Sequence, residues 1–200
     1  MNPYVQVTLV MCGIVFVALA ATAYLAVMFN RRAKADLETA LRPLAERIDG
    51  DLDLDSATVT GRNGRTLVAA RMTNAAEGPG RVFQTEIVDA AGGCAWDYTS
   101  SPPRRPGGEP RVEFASQRAD LRELLPSLAH EHVRQAADVE RERFRLDYNP
   151  DAGIVRLTRS MRTRRDIPDV EGFDRQLAYL IQLGNENRAA QGCVPEGECP

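Results

Sequence analysis

The first 30 residues of the chain contain no charged side chain. From Val7 to Phe29 they form an uninterrupted apolar run, VTLVMCGIVFVALAATAYLAVMF, in which nothing is more polar than threonine. A helix rises 1.5 Å per residue, so about 20 such residues cross the hydrocarbon core of a bilayer. A single apolar helix also satisfies its own backbone hydrogen bonds there. The pattern predicts a transmembrane helix over residues 7–29, preceded by a short external N-terminus, residues 1–6.

A cleaved signal peptide is the main alternative for this segment. Ala21-Thr22-Ala23 resembles a cleavage site, but the preceding MNPYVQ has no lysine or arginine, and the apolar run continues past the site. A lipoprotein signal fits poorly, because Leu9-Val10-Met11 before Cys12 lacks the small residues such a signal needs. The sequence therefore favours an uncleaved single-pass anchor.

The charges beside the apolar run predict its orientation. No basic residue precedes it, whereas Arg31, Arg32 and Lys34 follow it directly as residues at the membrane interface. Basic residues flanking a span tend to remain in the cytoplasm. We therefore expect a protein of the inner (cytoplasmic) membrane of a bacterium, with the N-terminus outside and residues 31–200 in the cytoplasm.

Helical spacing continues beyond the anchor and predicts a juxtamembrane helix over residues 30–50. Pro43 should kink or restart this helix, because proline lacks a backbone donor and clashes with the preceding turn. Gly50 is the predicted stop. The apolar positions with this spacing are Leu37, Leu41, Leu44, Ala45 and Ile48.

From Ala57 onward the pattern changes to alternation of apolar and polar residues, which is typical of β-strands. SATVTG and TLVAARMTN flank Asn63-Gly64, a strong hairpin signal. RVFQTEIVDA, CAWDYTS and RVEFA are the next predicted strands, and FRLDYN with GIVRLTRS forms a second hairpin. The predicted packing residues on these strands are Val82, Thr85, Ile87 and Trp96.

Two further segments have helical spacing, residues 118–142, interrupted by Pro126, and residues 170–187. The order of elements predicts an α+β fold in which a mostly antiparallel β-meander carries helices on one face. This soluble domain should cover residues 51–190 and end in a flexible cysteine-containing tail, residues 191–200.

Charge does not indicate a nucleic-acid partner. The chain has 25 basic and 28 acidic residues and a net charge of −3, and the arginine-rich segment 156–166 has no accompanying aromatic platform. That segment and the proline-rich loop 101–110 either form solvated surfaces paired with nearby acids or contact a partner or anionic lipid headgroups. The possible contact residues are Arg104, Arg105, Arg159, Arg162, Arg164 and Arg165.

No metal or cofactor site is predicted. The aspartates of residues 49–56 lack the glycine and glutamate of a calcium loop, and His130 and His132 lie too close in sequence to share a metal from one helix face. Cys193 and Cys199 remain open to three interpretations: free thiols, a small disulfide, or metal ligands.

The sequence contains no phosphate-binding glycine motif, no P-loop and no nucleophile elbow. We therefore expect no catalytic residues and no defined small-molecule substrate. An external N-terminus, one span and a cytoplasmic β-rich domain resemble the layout of the H subunit of purple-bacterial photosynthetic reaction centres, in layout only. This resemblance implies a non-catalytic accessory or structural subunit of a multi-protein membrane complex, possibly an energy-transducing one, anchored in the bilayer among other membrane-protein subunits. The alternative is a membrane-tethered sensor or ligand-binding domain.

Overall fold

The computed structural model describes residues 3–75, 80–88, 94–103, 110–116, 118, 120–137 and 143–191. Its α-helices are α1 (Pro3–Arg47), α2 (Leu121–Leu124), α3 (His130–Ala137) and α4 (Val170–Gln191), and short 3-10 helices cover Pro126–Leu128 and Arg164–Asp166. The strands are β1 (Asp51–Asp53), β2 (Thr58–Asn63), β3 (Thr66–Asn74), β4 (Arg81–Val88), β5 (Trp96–Ser101), β6 (Arg111–Ser116), β7 (Phe144–Asn149) and β8 (Ile154–Met161). Residues up to Thr39 form one compact unit and residues from Ala40 onward form another.

The N-terminal unit is a helix whose apolar run is largely exposed. The most apolar window of α1 has a mean hydropathy of 2.4 and no buried residue, and α1 is the one candidate membrane span among the described residues. The hydroxyls of Thr8 and Thr22 donate to the carbonyls of Tyr4 and Ala18, so their hydrogen bonds are satisfied within the helix. Such a helix could be a membrane span or a signal anchor.

Pro43 does not end α1, which continues helically as far as Arg47. The helix stops just before Gly50, the predicted stop. There the amide of Gly50 donates to the carbonyl of Ala45 at 3.0 Å, and Asp49 adopts a positive φ of 47°. The last turns of the helix, within the larger unit, are buried through Leu41, Leu44 and Ile48. They therefore belong to the core of that unit.

The eight strands form one antiparallel sheet, which confirms the predicted α+β class. Their spatial order is β1-β2-β3-β4-β8-β7-β5-β6. The predicted meander therefore extends only through β4, and the β7–β8 hairpin lies between β4 and β5. The two strands at the centre of this order, β4 and β8, pair over the full length of β4 from Arg81 to Val88.

One face of the sheet is covered by α3 and α4, and its side chains form the core. Strand residues alternate between faces, so every second position is buried. Trp96 stacks near Tyr148 and Tyr98 near Phe144, with ring centroids 6.4 and 6.2 Å apart. The other apolar residues buried on this face include Val59, Val68, Ala70, Phe83, Ile87, Leu146, Val155 and Leu157, opposite Phe173, Leu177, Leu180 and Leu183 of α4.

Two polar contacts attach α4 to the covered face. The indole nitrogen of Trp96 donates to Asn187 Oδ1 at 3.0 Å, and the hydroxyl of Thr85 donates to Gln176 Oε1 at 3.1 Å. All four side chains are buried. Because buried polar groups cost free energy unless they are paired, these bonds favour one register of α4 on the sheet.

The packing prediction for β4 was right for Thr85 and Ile87 and wrong for Val82. Phe83, Thr85 and Ile87 are buried on the covered face, whereas Val82 is half-buried on the opposite face. Adjacent strand residues point to opposite faces, so Val82 cannot share a face with Thr85. The buried aromatic side chain of this strand is Phe83.

Two glycines allow the chain leaving α1 to cross β2 at close range. A Cβ placed on Gly61 would lie 2.6 Å from the carbonyl oxygen of Ile48 and 2.7 Å from the Cα of Gly50. A Cβ on Gly50 would lie 2.3 Å from the carbonyl oxygen of Thr60. The amide of Arg62 donates to the carbonyl of Ile48 at 2.7 Å and closes this crossing. The approach is therefore possible only without side chains.

Candidate interaction surface

The second face of the sheet, which we call the open face, carries charged side chains that contact one another across strands. Arg71 is 40% exposed and Arg145 is 56% exposed, whereas Glu86 between the central strands is only 9% exposed. Glu86 lies opposite Arg156 in the β4–β8 register, and Arg156 lies opposite Asp147 in the β7–β8 register. Cross-strand register therefore brings these groups together.

Six of these side chains form a row of alternating charge, which we call the charge ladder. Arg71 Nη2 and Arg156 Nε lie 2.5 and 2.6 Å from the same oxygen, Glu86 Oε1. Arg156 Nη1 is 3.9 Å from Asp147 Oδ2, and Arg145 Nε is 4.0 Å from Asp147 Oδ1. Arg145 also pairs with the carboxylate of Asp97. The ladder is Arg71, Glu86, Arg156, Asp147, Arg145 and Asp97.

Desolvation and charge act in opposite directions within the ladder. Burial raises the pKa of Asp147, and the guanidinium groups of Arg156 and Arg145 partly offset that rise. Three carboxylates alternate with three guanidiniums, so the ladder largely neutralises itself. The ladder therefore makes the open face polar without giving it a strong net charge.

Glu86 is the group in the ladder whose loss should matter most. Glu86→Gln leaves two guanidiniums without their shared carboxylate, so we expect a loss of about 1–2 kcal/mol in the free energy of unfolding, below the value for a fully buried pair because both arginines are partly exposed. Asp97→Asn, at the more exposed end of the ladder, should cost about 0.5 kcal/mol. Urea unfolding followed by Trp96 fluorescence measures both, and equal losses would contradict the bridging role of Glu86.

An apolar row crosses the open face beside the ladder. Val68 pairs with Ile87 and Val88 pairs with Ile154, so Leu67, Val88 and Ile154 lie side by side on β3, β4 and β8. Leu67 and Val88 are each 45% exposed. The row lines a shallow depression of about 490 Å³, bordered by Asp49, Asp51, Arg62 and Glu86 among other residues, which we call the open-face groove.

A second groove, of about 430 Å³, lies between α3, the 3-10 helix Pro126–Leu128 and α4. Three of its polar residues bind one another. The hydroxyl and amide of Ser127 donate to the two carboxylate oxygens of Glu186 at 2.5 and 3.0 Å, and the Tyr179 hydroxyl donates to the carbonyl of Ser127 at 3.0 Å. Burial raises the pKa of Tyr179, so this phenol remains a neutral donor. These bonds attach the 3-10 helix to α4.

The sequence matches no protein-family model and no curated protein, and no solved structure matches its fold.

The predicted contact residues fall in different places. Arg31, Arg32 and Lys34 follow the apolar part of α1 and are exposed. Arg162 and Arg165 are exposed after β8, whereas Arg159 is buried on the covered face, where its guanidinium donates to the carbonyl of Asp166. Arg159 is therefore not at the surface with its neighbours. Four of the predicted site residues lie outside the described ones: Arg104, Arg105, Cys193 and Cys199. The side chain of Arg164 is not described either.

Asp166 orders the arginine-rich turn after β8. Its Oδ2 accepts hydrogen bonds from the amides of Arg162 and Thr163 at 2.8 and 2.6 Å. The Thr163 amide is the main reason that the pKa of Asp166 lies below its ordinary value of 3.8. The exposed arginines are thus held on a hydrogen-bonded turn.

This lowered pKa predicts a pH-dependent contribution from Asp166. The folded state binds its proton less tightly than the unfolded state, so the stabilisation is present above the ordinary pKa and is lost as pH falls through the folded value. Asp166→Asn should therefore destabilise the protein slightly at pH 7, with a difference from wild type that disappears in acid. Urea unfolding at a series of pH values tests this; a constant difference down to acidic pH would contradict it.

His130 has a structural role that its sequence position did not indicate. Its Nδ1 lies 3.2 Å from the Tyr98 hydroxyl, and its ring stacks near Phe144 with centroids 6.5 Å apart. His132 lines the second groove instead. Within the described ranges, no group of three His, Cys, Asp or Glu side chains is placed to hold a metal ion.

The surface that the sequence reasoning missed is the open face. Alternation along RVFQTEIV indicates that Gln84 and Glu86 share a face, which is a usable signal. The row formed by Leu67, Val88 and Ile154 depends on which strands are neighbours, and β8 follows β4 in space although it is distant in sequence. The local sequence pattern could therefore not predict this apolar row.

Proposed function

We propose that this chain is a non-catalytic accessory subunit of a multi-protein membrane complex, anchored by α1 and binding a partner through the open face of its sheet. The observation that carries the proposal is the apolar row formed by Leu67, Val88 and Ile154 on the face that also carries the charge ladder. Exposed aliphatic groups in contiguous rows are a mark of interaction surfaces. The charged surroundings would form the polar rim that such interfaces have.

The anchor supports the membrane part of the proposal. Its apolar side chains are exposed along the whole N-terminal run, and small residues there allow close approach of partner helices. The small residues are Gly13, Ala18, Ala20, Ala21 and Ala23. The partners are then other membrane-protein subunits and the lipid bilayer, without nucleic acid, cofactor or small-molecule substrate.

The arginines and lysine after the apolar run support an inner-membrane orientation with the N-terminus outside. Arg31, Arg32 and Lys34 would remain in the cytoplasm, and residues 31–200 would follow them. The exposed Arg162 and Arg165 remain candidates for contact with a partner or with anionic headgroups.

The second candidate function is a membrane-tethered sensor or ligand-binding domain, and the groove between α3 and α4 is the feature that favours it. The groove contains His132, Arg175 and Glu186, which could contact a polar ligand. Two of its polar groups, Ser127 and Glu186, are already bonded to each other. A ligand would have to compete with those bonds, and for this reason we place the function second.

The size of the particle that contains this chain tests the proposal. Native membranes are solubilised in a mild detergent, separated by native electrophoresis and probed for a C-terminal tag. We expect one discrete band far above the 22.0 kDa chain in its micelle. A band at the position of the lone chain, unchanged across several mild detergents, would contradict the accessory-subunit function and favour the sensor.

A further inference from the structure

The open-face groove has a chemistry that specifies one kind of occupant. We propose that it binds a segment of a neighbouring membrane subunit in which a lysine or arginine stands beside aliphatic side chains. This inference rests on the proposed function and adds to it the groove within the open face that makes the contact and the chemistry of the partner segment.

The floor of the groove selects aliphatic groups. Leu67 and Val88 each remain 45% exposed, and Ile154 next to them is half-buried. These side chains come from the ends of three adjacent strands in the middle of the sheet, and Val88 is paired directly with Ile154. A partner side chain that covers the floor removes apolar surface from water, which is the main favourable term in association.

The rim of the groove selects a positive charge. Asp49 and Asp51 both line it and both are exposed, and β1, which contributes Asp51, also contains Asp53. Glu86 at the inner side is occupied by the two guanidiniums of the ladder. Arg62 is the basic residue among the groove-lining side chains. Among the described residues that line the groove, carboxylates therefore outnumber cations, and a basic partner residue complements them.

The other groove does not have this combination. Its floor is formed between helices, and Ser127, Tyr179 and Glu186 are linked by hydrogen bonds that hold the 3-10 helix in place. The open-face groove offers exposed aliphatic side chains and exposed carboxylates together. We therefore place the partner segment there.

Photo-crosslinking of the full chain in native membranes tests the placement. A benzoylphenylalanine replaces Leu67 in the groove, and a matched variant carries it at Leu124, which is 40% exposed on α2. We expect the Leu67 probe alone to form an adduct with a different membrane protein. Peptide mapping of that adduct should find a lysine or arginine within about four residues of the crosslinked position, one helical turn.

Charge variants test the chemistry of the rim. The double variant Asp49→Asn with Asp51→Asn, made in the Leu67 probe chain, should lower the adduct yield about tenfold. Asp151→Asn removes an equally exposed aspartate from the turn between β7 and β8 and should leave the yield unchanged. Trp96 fluorescence melts of each variant establish that the domain remains folded.

Three outcomes would overturn the inference: no adduct from Leu67, an adduct with a second copy of this chain, or an adduct whose yield does not depend on Asp49 and Asp51. If any of these occurs while the chain still migrates in a large hetero-assembly, the inference fails and only the accessory-subunit part of the proposed function stands. If the chain migrates alone, the proposed function fails first.

Discussion

Phe83→Ala should lower the free energy of unfolding by about 3–5 kcal/mol, the range for removing a buried aromatic side chain. The Phe83 side chain has no exposed surface and lies in the middle of the covered face, on a central strand. Its removal leaves a cavity bounded by the rigid sheet and α4, which cannot collapse freely. Trp96 is the only tryptophan of the chain and is 2% exposed, so its fluorescence reports unfolding of the sheet in urea.

Val82→Ala is the matched control, because Val82 is the neighbouring residue on the same strand. It lies half-buried on the open face, and we expect its truncation to cost about 0.5–1.5 kcal/mol. A larger loss for Val82 than for Phe83 would mean that the two faces of β4 have been assigned the wrong way round. The face that carries Val82 would then be the covered one, and the proposed contact surface would be buried.

Gly61→Ala should lower the free energy of unfolding by about 2–3 kcal/mol, the upper part of the range for overpacking. The added Cβ would meet the carbonyl oxygen of Ile48 and the Cα of Gly50, which are backbone atoms and cannot rotate away. The chain after α1 would have to move off β2 and lose the hydrogen bond from the Arg62 amide to Ile48.

Gly64→Ala provides the comparison for that crossing. Gly64 has a positive φ of 62° in the β2–β3 turn, and a Cβ there would meet no atom within 4 Å. Its cost should come from backbone strain alone, about 1 kcal/mol. Urea unfolding of both variants separates the two causes. A Gly61 variant as stable as the wild type would show that the close crossing is absent in solution.

The elements of the fold were largely predictable, because their signals are local. Asn63-Gly64 marked the first hairpin, and Gly153, with a positive φ of 62°, closed the second. The length of the apolar run was enough to predict the N-terminal part of α1. The helical segment predicted over 118–142 is divided into α2, a 3-10 helix and α3, and α4 extends a few residues past its predicted end to Gln191. In each case hydrogen bonds between near neighbours decide the structure.

The arrangement of the strands was less predictable, because it depends on contacts between residues far apart in sequence. The β7–β8 hairpin inserts between β4 and β5, and its place next to β4 joins Arg156 to Glu86 and Ile154 to Val88. Both the charge ladder and the apolar row result from that insertion. Either the β7–β8 hairpin or the β5–β6 pair could have continued the sheet next to β4. Alternation of apolar and polar residues alone does not choose between these two arrangements.

The fate of Arg159 illustrates the same limit. Five arginines of residues 156–166 looked equivalent as a basic segment, but β8 alternates, and Arg159 falls on the covered face. Its guanidinium is buried and bonded to the carbonyl of Asp166. Arg156 points to the open face and joins the ladder. Once the register of a strand is known, the alternation of its side chains between the two faces of the sheet distinguishes buried arginines from exposed ones.

The composition of the purified particle tests the central proposal most directly. The full chain is isolated by a C-terminal tag from native membranes in a mild detergent, and native mass spectrometry determines the mass and subunits of what elutes. We expect a hetero-complex with a fixed ratio of this chain to other membrane proteins. A single 22.0 kDa chain, or only multiples of it, would contradict the accessory-subunit account.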